Sequence, residues 1–218
     1  MRIVAVVPMK LNNRRLPQKN TKAFSNGKPL CWYILNTLLR IEVIDKVYVY
    51  CSNPTIQEYI PVEVEYLKRS EKLDQDSTKM NEVLKAFADE VDADVYVMTH
   101  TTAPFITAES INKGIKAVIS EGYDSSFAAK KLQDFLWKDG QPLNYSLDNI
   151  PRTQDLPIFY EETSGFYIYR SEVIQRLNRR IGERPSIVEV SEIESIDIDE
   201  PEDFLIADAI YNHLFRRE

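Results

Sequence analysis

The chain has 218 residues, of which 44% are hydrophobic and 28% charged, and its formal net charge at pH 7 is −7. This length suits one α/β core, so we expect a single domain over residues 1–218. The acidic balance argues against a nucleic-acid-binding surface, and no stretch approaches the roughly 20 apolar residues that cross a bilayer. With only two cysteines and no signal peptide, we expect a cytoplasmic protein that binds neither nucleic acid nor membrane.

The amino-terminal stretch starts with an unbroken apolar run, Ile3 to Val7, that ends at Pro8. A run of β-branched residues without a polar position predicts a central strand of a parallel sheet, buried on both faces. The loop that follows such a strand is presented at the carboxyl edge of the sheet, where open α/β folds bind their ligands. We therefore expect the ligand site of this chain to begin directly after Pro8.

The loop after this strand is strongly cationic. Residues 1–41 contain eight Lys or Arg side chains and no acidic residue, and the loop carries Lys10, Arg14, Arg15 and Lys19. Positive charge at a strand end suits a polyanion such as a triphosphate, whereas the alternative is a solvated basic loop. The Walker A and Gly-x-Gly-x-x-Gly motifs are both absent from the sequence.

Residues 8–20 read Pro-x-Lys-x-x-Asn-x-Arg-Leu-Pro-x-Lys-Asn, and Asn-Gly-Lys-Pro-Leu follows at 26–30. This string resembles the opening signature of the acylneuraminate (CMP-sialic acid) cytidylyltransferases. The resemblance implies that the loop wraps the phosphates of CTP. It also implies a catalytic role for Lys10, Arg14 and Lys19 and a binding role for Asn12, Asn13 and Asn20. Leu11 and Asn12 replace glycines of the family, so we expect side-chain amides to replace part of the backbone contacts.

The remaining periodicity predicts a βαβαβ unit and then further strand and helix pairs. The predicted elements are a helix over Pro29–Leu39, a strand over Lys46–Ser52, a short helix over Thr55–Tyr59, a strand over Val62–Leu67, a helix over Met80–Val91, a strand over Asp94–Thr99, a helix capped by Thr107 that runs to Ser120, and a strand over Ser125–Ala129.

Two loops of this unit carry candidate binding residues. In the resembled family, hydroxyl residues before the second main helix read the cytosine and ribose, which makes Ser77 and Thr78 candidates, with a helix N-cap as the alternative. The string at 100–105 is similar to the family's Gln-Pro-Thr-Ser-Pro-Leu and implies sugar contacts by His100 and Thr102. His100 stands in place of glutamine, and a structural histidine is the alternative.

From Lys130 to Pro157 the α/β pattern is interrupted, and Asp139-Gly140 predicts a β-ribbon or an extended arm, within about residues 130–165. By resemblance, this arm builds a homodimer and borders the active site of the other subunit. The string Arg-x-Gln-Asp-Leu-Pro-x-x-Tyr at 152–160 matches the family and implies that Arg152, Gln154 and Tyr160 bind the sugar acid. A guanidinium can bind a carboxylate through two hydrogen bonds, although a surface Arg paired with a local Asp is the alternative.

Near the carboxyl end, Ser195–Asp203 is rich in acids and matches the family's Ile-Asp-Ile-Asp-x-Pro-Glu-Asp closely. Alternation predicts a strand with two buried isoleucines and with Asp197 and Asp199 together on its other face. Two such carboxylates can share a hard cation, and the resemblance implies Mg²⁺ on this pair, whereas helix capping is the alternative. Pro201 then opens a helix that runs to about His213.

The resemblance implies an α/β fold of the Rossmann-like nucleotidyltransferase type, a mostly parallel sheet flanked by helices with a projecting dimerisation arm. It implies transfer of CMP from CTP to the anomeric hydroxyl of a sialic-acid-like nine-carbon acid, with release of pyrophosphate. Asp199 joins the cationic loop as a catalytic residue. The alternatives are transfer to another acid such as 3-deoxy-manno-octulosonate, and a catalytically weak sugar-nucleotide-binding protein. Every version requires the cationic loop and the two aspartates to meet across one cleft.

Overall fold

The computed structural model describes residues 1–214 of the chain. The helices and strands are β1 Ile3–Met9, α1 Leu30–Leu39, β2 Lys46–Cys51, β3 Glu65–Lys68, α2 Met80–Glu90, β4 Val95–Thr99, α3 Ala108–Ser120, β5 Ser125–Leu132, β6 Trp137–Lys138, β7 Gln141–Pro142, β8 Phe159–Arg170, α4 Ser171–Leu177, β9 Pro185–Val190 and α5 Pro201–Leu214. Short 3-10 helices lie at Lys19–Thr21, Pro54–Glu58, Glu71–Asp74 and Thr153–Asp155.

Seven strands form one sheet in the order β3-β2-β1-β4-β8-β5-β9. Strand β8 is antiparallel to β4 and β5, and the other neighbouring pairs are parallel. The predicted mostly parallel sheet is therefore confirmed. Every residue of β1 is buried, as its apolar run predicts for a central strand.

Strand β1 continues through Pro8 to Met9, so the prediction that it breaks at Pro8 was wrong. Pro8 pairs with Tyr50 of β2, whereas β4 pairs with β1 only over Ile3–Val6. One edge of β1 is therefore free of ladder partners at Pro8. A proline, which has no amide hydrogen, can occupy such a position without the loss of a sheet hydrogen bond.

Helices cover both faces of the sheet and form two buried clusters. Helices α1 and α3 pack on one face and α2 and α4 on the other, so that alternate residues of β1 point to opposite sides. Gly114 lets α3 approach β8 closely, because a Cβ atom there would lie 2.7 Å from Ile168 Cδ1. None of the helices in this part of the chain combines the length and apolar character that crossing a bilayer requires.

The predicted strand over Val62–Leu67 was shifted, since β3 covers Glu65–Lys68. Pro61 begins a turn in which the Val64 amide donates to the Pro61 carbonyl, so Val62 is exposed. The predicted ribbon is confirmed as the β6–β7 hairpin, whose turn residues Asp139 and Gly140 have φ of 51° and 75°. Because β5 and β8 continue to Leu132 and Phe159, the segment outside the sheet, called the arm below, comprises residues 133–158.

Candidate active site

The candidate site lies at the carboxyl edge of the sheet, where β1 and β4 end. Two adjoining cavities of about 230 and about 300 Å³ share Lys10, Asn13 and Lys19 in their walls. The first also has Arg69, Thr78 and residues 100–102 in its wall, and the second has Arg14, Arg15, Asp76 and Asp199. One long polar cleft thus passes over the cationic loop.

The loop is held in shape by its own last residues. Asn20 is 4% exposed, and its side-chain amide donates to the Lys10 carbonyl (2.8 Å) while its Oδ1 accepts from Thr101 Oγ1 (2.5 Å). Lys19 is buried and donates from Nζ to the Ile198 carbonyl (2.9 Å). These bonds join the loop to the segment that follows β4 and to the carboxyl-terminal acidic segment, so Asn20 positions the loop within the chain.

Apolar packing brings the acidic segment to the loop. Leu16 of the loop, Ile198 and Phe204 of α5 belong to one buried cluster. The side chain of Asp203 accepts from the amides of Asp199 and Glu200 just before α5 (2.9 and 2.7 Å), so Asp203 holds the turn that leads into the helix. This arrangement leaves the carboxylate of Asp199 directed toward the loop.

Asp199 forms ion pairs with Lys19 Nζ (3.0 Å) and Arg15 Nη2 (2.9 Å). Burial by itself raises the pKa of Asp199, but the hydrogen bond from Lys19 and the charges of Lys19 and Arg15 outweigh it and lower that pKa. The cationic loop and Asp199 therefore meet across one cleft, and Asp199 stays ionised near neutral pH.

The predicted strand over residues 195–199 was wrong, because this segment is irregular. Its main tie to the core is the Ile198 amide, which donates to the Thr102 carbonyl (2.9 Å). The predicted inward orientation of the two isoleucines still holds in part. Ile198 is fully buried, and Ile196 packs against the cluster that contains Leu16 and Phe204. Packing of these side chains places the aspartates without a sheet ladder.

Asp197 offers an oxygen that lacks a partner. Its Oδ2 accepts from Ser164 Oγ (2.6 Å), whereas its Oδ1 is buried without a hydrogen bond. A cation is a suitable partner for such an oxygen, so Asp197 and Asp199 fit the chemistry of a Mg²⁺ site. Within residues 1–214, no group of three or more His, Cys, Asp or Glu is arranged to hold a metal ion. Water and phosphate oxygens would complete the shell, as is usual for Mg²⁺.

An acid on the opposite wall contacts the same loop. Asp76 forms ion pairs with Lys10 (3.2 Å) and Arg14 (2.7 Å). Sequence reasoning missed Asp76 and Ser164 as site residues and counted Arg15 only among the charges of the loop. The contacts of these three side chains arise across the fold. In this structure the loop charges are thus balanced from both walls, by Asp76 and by Asp199.

The first cavity continues to a buried guanidinium. Arg69 is 4% exposed and pairs with Asp74, and its Nε is buried without a partner. Sequence reasoning also missed Arg69, although it directly follows β3 and the strand-end rule used for β1 applies to it. Thr78 lines this cavity, whereas Ser77 is exposed outside it. Lys79, and neither of these two residues, is the N-cap of α2.

His100 and Thr102 both line the first cavity, as predicted for residues that follow β4. Burial, and then the charges of Arg180 and Lys19, lower the pKa of His100 to about 4. The imidazole is therefore neutral at pH 7 and can donate one hydrogen bond and accept another.

The structure does not bring every predicted residue together. Asn12 is exposed and lines neither of the two cavities, and it borders neighbouring surface depressions with Ser52 and Asp74 and with Arg14 and Asp76. Arg152 forms a bidentate pair with Asp155 (2.8 and 3.1 Å), which is the alternative given above. Within residues 1–214, Arg152, Gln154 and Tyr160 do not line either cavity. In a single copy of the chain, these three therefore lie outside the cleft.

The sheet and the cleft at its carboxyl edge define an α/β fold of the nucleotidyltransferase type. This fold is shared with CMP:2-keto-3-deoxy-manno-octonic acid synthetase complexed with CTP (TM-score 0.75, 17% identity, 98% of this chain and 99% of that one). It is also shared with 4-diphosphocytidyl-2C-methyl-D-erythritol synthase of Anaerococcus prevotii (TM-score 0.69, 14% identity, 97% and 96% coverage). Residues 4–210 match the family described as cytidylyltransferase. The chain therefore belongs to the cytidylyltransferase family.

Curated relatives agree with this assignment. The N-acylneuraminate cytidylyltransferase of Oncorhynchus mykiss is 25% identical over 217 residues, which cover 94% of this chain and 49% of that protein. The 3-deoxy-manno-octulosonate cytidylyltransferase of Pelobacter propionicus is 25% identical over 251 residues, with 95% and 96% coverage. The chain thus spans about half the length of the trout relative and nearly all of the bacterial one.

Proposed function

We propose that the chain transfers CMP from CTP to the anomeric hydroxyl of a sialic-acid-like nine-carbon acid and releases pyrophosphate. The observation that carries this proposal is the meeting of Lys19 and Asp199, at 3.0 Å, in a polar cleft at the carboxyl edge of the sheet. Such a cleft combines fixed positive charge with carboxylates, the two features that binding of a metal-complexed triphosphate would need. Transfer of a nucleotidyl group depends mainly on positioning and electrostatics, so a nucleophilic side chain is not required.

On this proposal, Lys10, Arg14 and Lys19 hold the triphosphate and neutralise the charge that develops toward pyrophosphate. Their present carboxylate partners would give way to phosphate oxygens. Asp197 and Asp199 would hold Mg²⁺, which, when bound, supplies Lewis-acid polarisation of phosphate oxygens. Asn13 adds a polar contact at this end, because it lines both cavities and its Oδ1 is buried without a partner.

In this proposal, the cytosine base of CTP binds in the first cavity. The buried Arg69 presents hydrogen-bond donors that suit the carbonyl oxygen of a pyrimidine, and Thr78 lies in the same wall. His100 and Thr102 would contact the sugar acid at the end of β4. The neutral imidazole suits hydroxyl groups better than a fixed charge would.

The arm supports a homodimer within this proposal. Its exposed apolar side chains include Phe135, Trp137, Leu143, Leu147 and Ile150. A second copy of the chain that covers this surface would place Arg152, Gln154 and Tyr160 at the partner's cleft. Within residues 1–214, Arg152 pairs with the nearby Asp155, and because this pair is exposed, Arg152 can change partner at low cost.

Two observations each favour a different alternative function. The near-complete coverage of the Pelobacter propionicus relative favours 3-deoxy-manno-octulosonate as the acceptor acid. The replacement of loop glycines by Leu11 and Asn12 favours a weakly active sugar-nucleotide-binding protein. Both alternatives use the cleft described above. The first alternative differs from the main proposal in the acceptor acid, and the second differs in its rate of turnover.

Pyrophosphate release, measured with CTP, Mg²⁺ and a panel of acids, tests these candidates. The panel contains sialic, legionaminic and pseudaminic acids and 3-deoxy-manno-octulosonate, with UTP and a chelator as controls. We expect turnover with a nine-carbon acid, loss of turnover in the chelator and a strong preference for CTP. Turnover with only the eight-carbon acid would support the second candidate. CTP binding without turnover on any acid would support the binding protein.

A further inference from the structure

A third cavity, which is also basic, adjoins the nucleotide cleft and has no role in the function proposed above. It measures about 340 Å³ and is lined by Lys79, Met80, Asn81, Arg179, Arg180 and Ile181. Met80 lines both this cavity and the first cavity of the cleft. This cavity and the first cavity of the cleft are therefore neighbours at the start of α2. Three cationic side chains line the cavity outside the cleft.

Arg180 is the most firmly held of these cations. Its Cζ lies 3.7 Å from the centre of the Tyr167 ring, and its Nη2 donates to Glu162 Oε1 (3.1 Å). The Tyr167 hydroxyl donates to the same Glu162 oxygen (2.5 Å), and the Thr163 carbonyl oxygen lies 3.1 Å from that hydroxyl. The guanidinium is thus oriented before any ligand arrives, which lowers the entropy that binding would cost.

This orientation leaves donors for a ligand. A guanidinium that stacks on an aromatic face points its N–H groups outward in its own plane, and Glu162 uses only Nη2 among them. The side chain is 25% exposed, so these donors are accessible from the cavity yet poorly hydrated. Such a group binds a carboxylate through two parallel hydrogen bonds.

Arg180 also acts on the described cleft. Its positive charge is, after burial, the next largest cause of the lowered pKa of His100, which lines the nucleotide cavity. The strand β8 that supports Arg180 through Glu162 and Tyr167 carries Ser164, the partner of Asp197. Arg180, His100 and the candidate metal pair therefore belong to one contiguous region.

We propose that Arg180 binds the carboxylate of the sugar acid within the same subunit. The inference rests on the proposed function, because it needs an acidic acceptor beside the nucleotide. It differs from the sequence prediction, which gives this task to Arg152. In a single copy of the chain Arg152 is 73% exposed on the arm and lines neither cavity of the cleft, whereas Arg180 lines a cavity that adjoins the cleft.

The test compares Arg180→Gln and Arg180→Lys with a matched control, Arg176→Gln, which removes an exposed cation from α4. KM is measured separately for the acid and for CTP, with the acid that the wild type turns over. We expect Arg180→Gln to raise KM for the acid at least about 10-fold, because a charge-assisted bidentate contact is lost. Arg180→Lys should give an intermediate value, and KM for CTP should stay within about 2-fold.

The methyl ester of the acid gives a readout that a structural role would not move. The wild type should bind the free acid far better than the ester in calorimetry, and Arg180→Gln should lose most of that preference. If the wild type turns over the acid and Arg180→Gln keeps both its KM and its preference over the ester, Arg180 is not the carboxylate ligand. Absence of turnover on every acid would instead overturn the proposed function, and this assignment with it.

Discussion

The cationic loop, residues 10–20, and the arm, residues 133–158, differ in where their contacts lie in the chain. The loop is tied to distant parts of the chain, by Asn20 to Thr101 and by Lys19 to Asp199. Several arm contacts are local, such as Arg152 with Asp155, and its apolar side chains remain exposed in the described chain, with Leu147 at 57% and Ile150 at 64%. The loop is completed by its own chain, whereas the arm presents a surface that suits another molecule.

This difference predicts which property, catalysis or assembly, a substitution in each region should change. A change in the loop and its acidic partners should affect chemistry within each subunit, without a change in assembly. A change at the arm should affect assembly first and activity only as a consequence. The predictions below test this division, and the largest expected effect comes first.

Asp199→Asn should lower kcat at least about 100-fold, because it removes the charge that faces Lys19 and that would hold the cation. Kinetics of pyrophosphate release measure the effect, and thermal unfolding checks that the fold is intact. Glu200→Gln is the matched control, since Glu200 also pairs with Arg15 but lies at the exposed start of α5. The control should keep activity within about 3-fold. Similar losses in both variants would contradict a special role for Asp199.

Leu147→Asp combined with Ile150→Asp should weaken self-association about 100-fold, because two apolar side chains of the arm become charged. Sedimentation equilibrium measures the change in mass. Val62→Asp is the control, since Val62 is 94% exposed on the core, far from the arm in sequence. The arm variant should also lose activity as it dissociates, if Arg152 serves the partner's cleft. A wild type that stays monomeric would contradict the proposed dimer.

His100→Gln should change the pH dependence of stability. The folded pKa of His100 is about 4, below its ordinary 6.5, so the unfolded chain binds the proton first as pH falls. The stability that neutral His100 confers is full above pH 6.5 and is lost as pH falls toward 4. Between pH 7 and pH 5, the free energy of unfolding should fall by about 2 kcal/mol more in the wild type than in the variant.

Urea unfolding at several pH values measures this difference. His213→Gln is the control, because His213 is exposed near the end of α5. The control should follow the wild type across the whole range. Identical pH profiles for the wild type and His100→Gln would show that His100 is well solvated in the folded chain.

Much of the fold could be predicted because local patterns agree with tertiary packing. The apolar run of β1 and the capping Thr107 of α3 each mark their elements correctly. The errors have local causes, such as the free edge beside Pro8 and the turn that follows Pro61. The acidic segment at 195–199 alternates like a strand, yet neighbouring side chains and one backbone bond hold it.

The position of a residue at the cleft was predictable where a motif or a strand end marks it, as for Lys10, Lys19 and Asp199. Residues that act through distant contacts could not be predicted in this way. Ser164 lies 33 positions from Asp197, and Asp76 lies more than 60 positions from the loop residues that it contacts. Periodicity carries no information about such pairs, because only the folded sheet brings them together.

The position of β8 has a consequence for the order of assembly during synthesis. Strand β5 has only β8 and β9 as sheet neighbours, and both emerge from the ribosome after it. The four strands β3-β2-β1-β4 can therefore pair as soon as residue 99 is available, whereas β5 must wait for the whole arm and β8 to be translated. A nascent chain halted before residue 159 would hold a finished half-sheet, the cationic loop and Asp76, whereas Asp199, the acid on the other wall, would not yet exist.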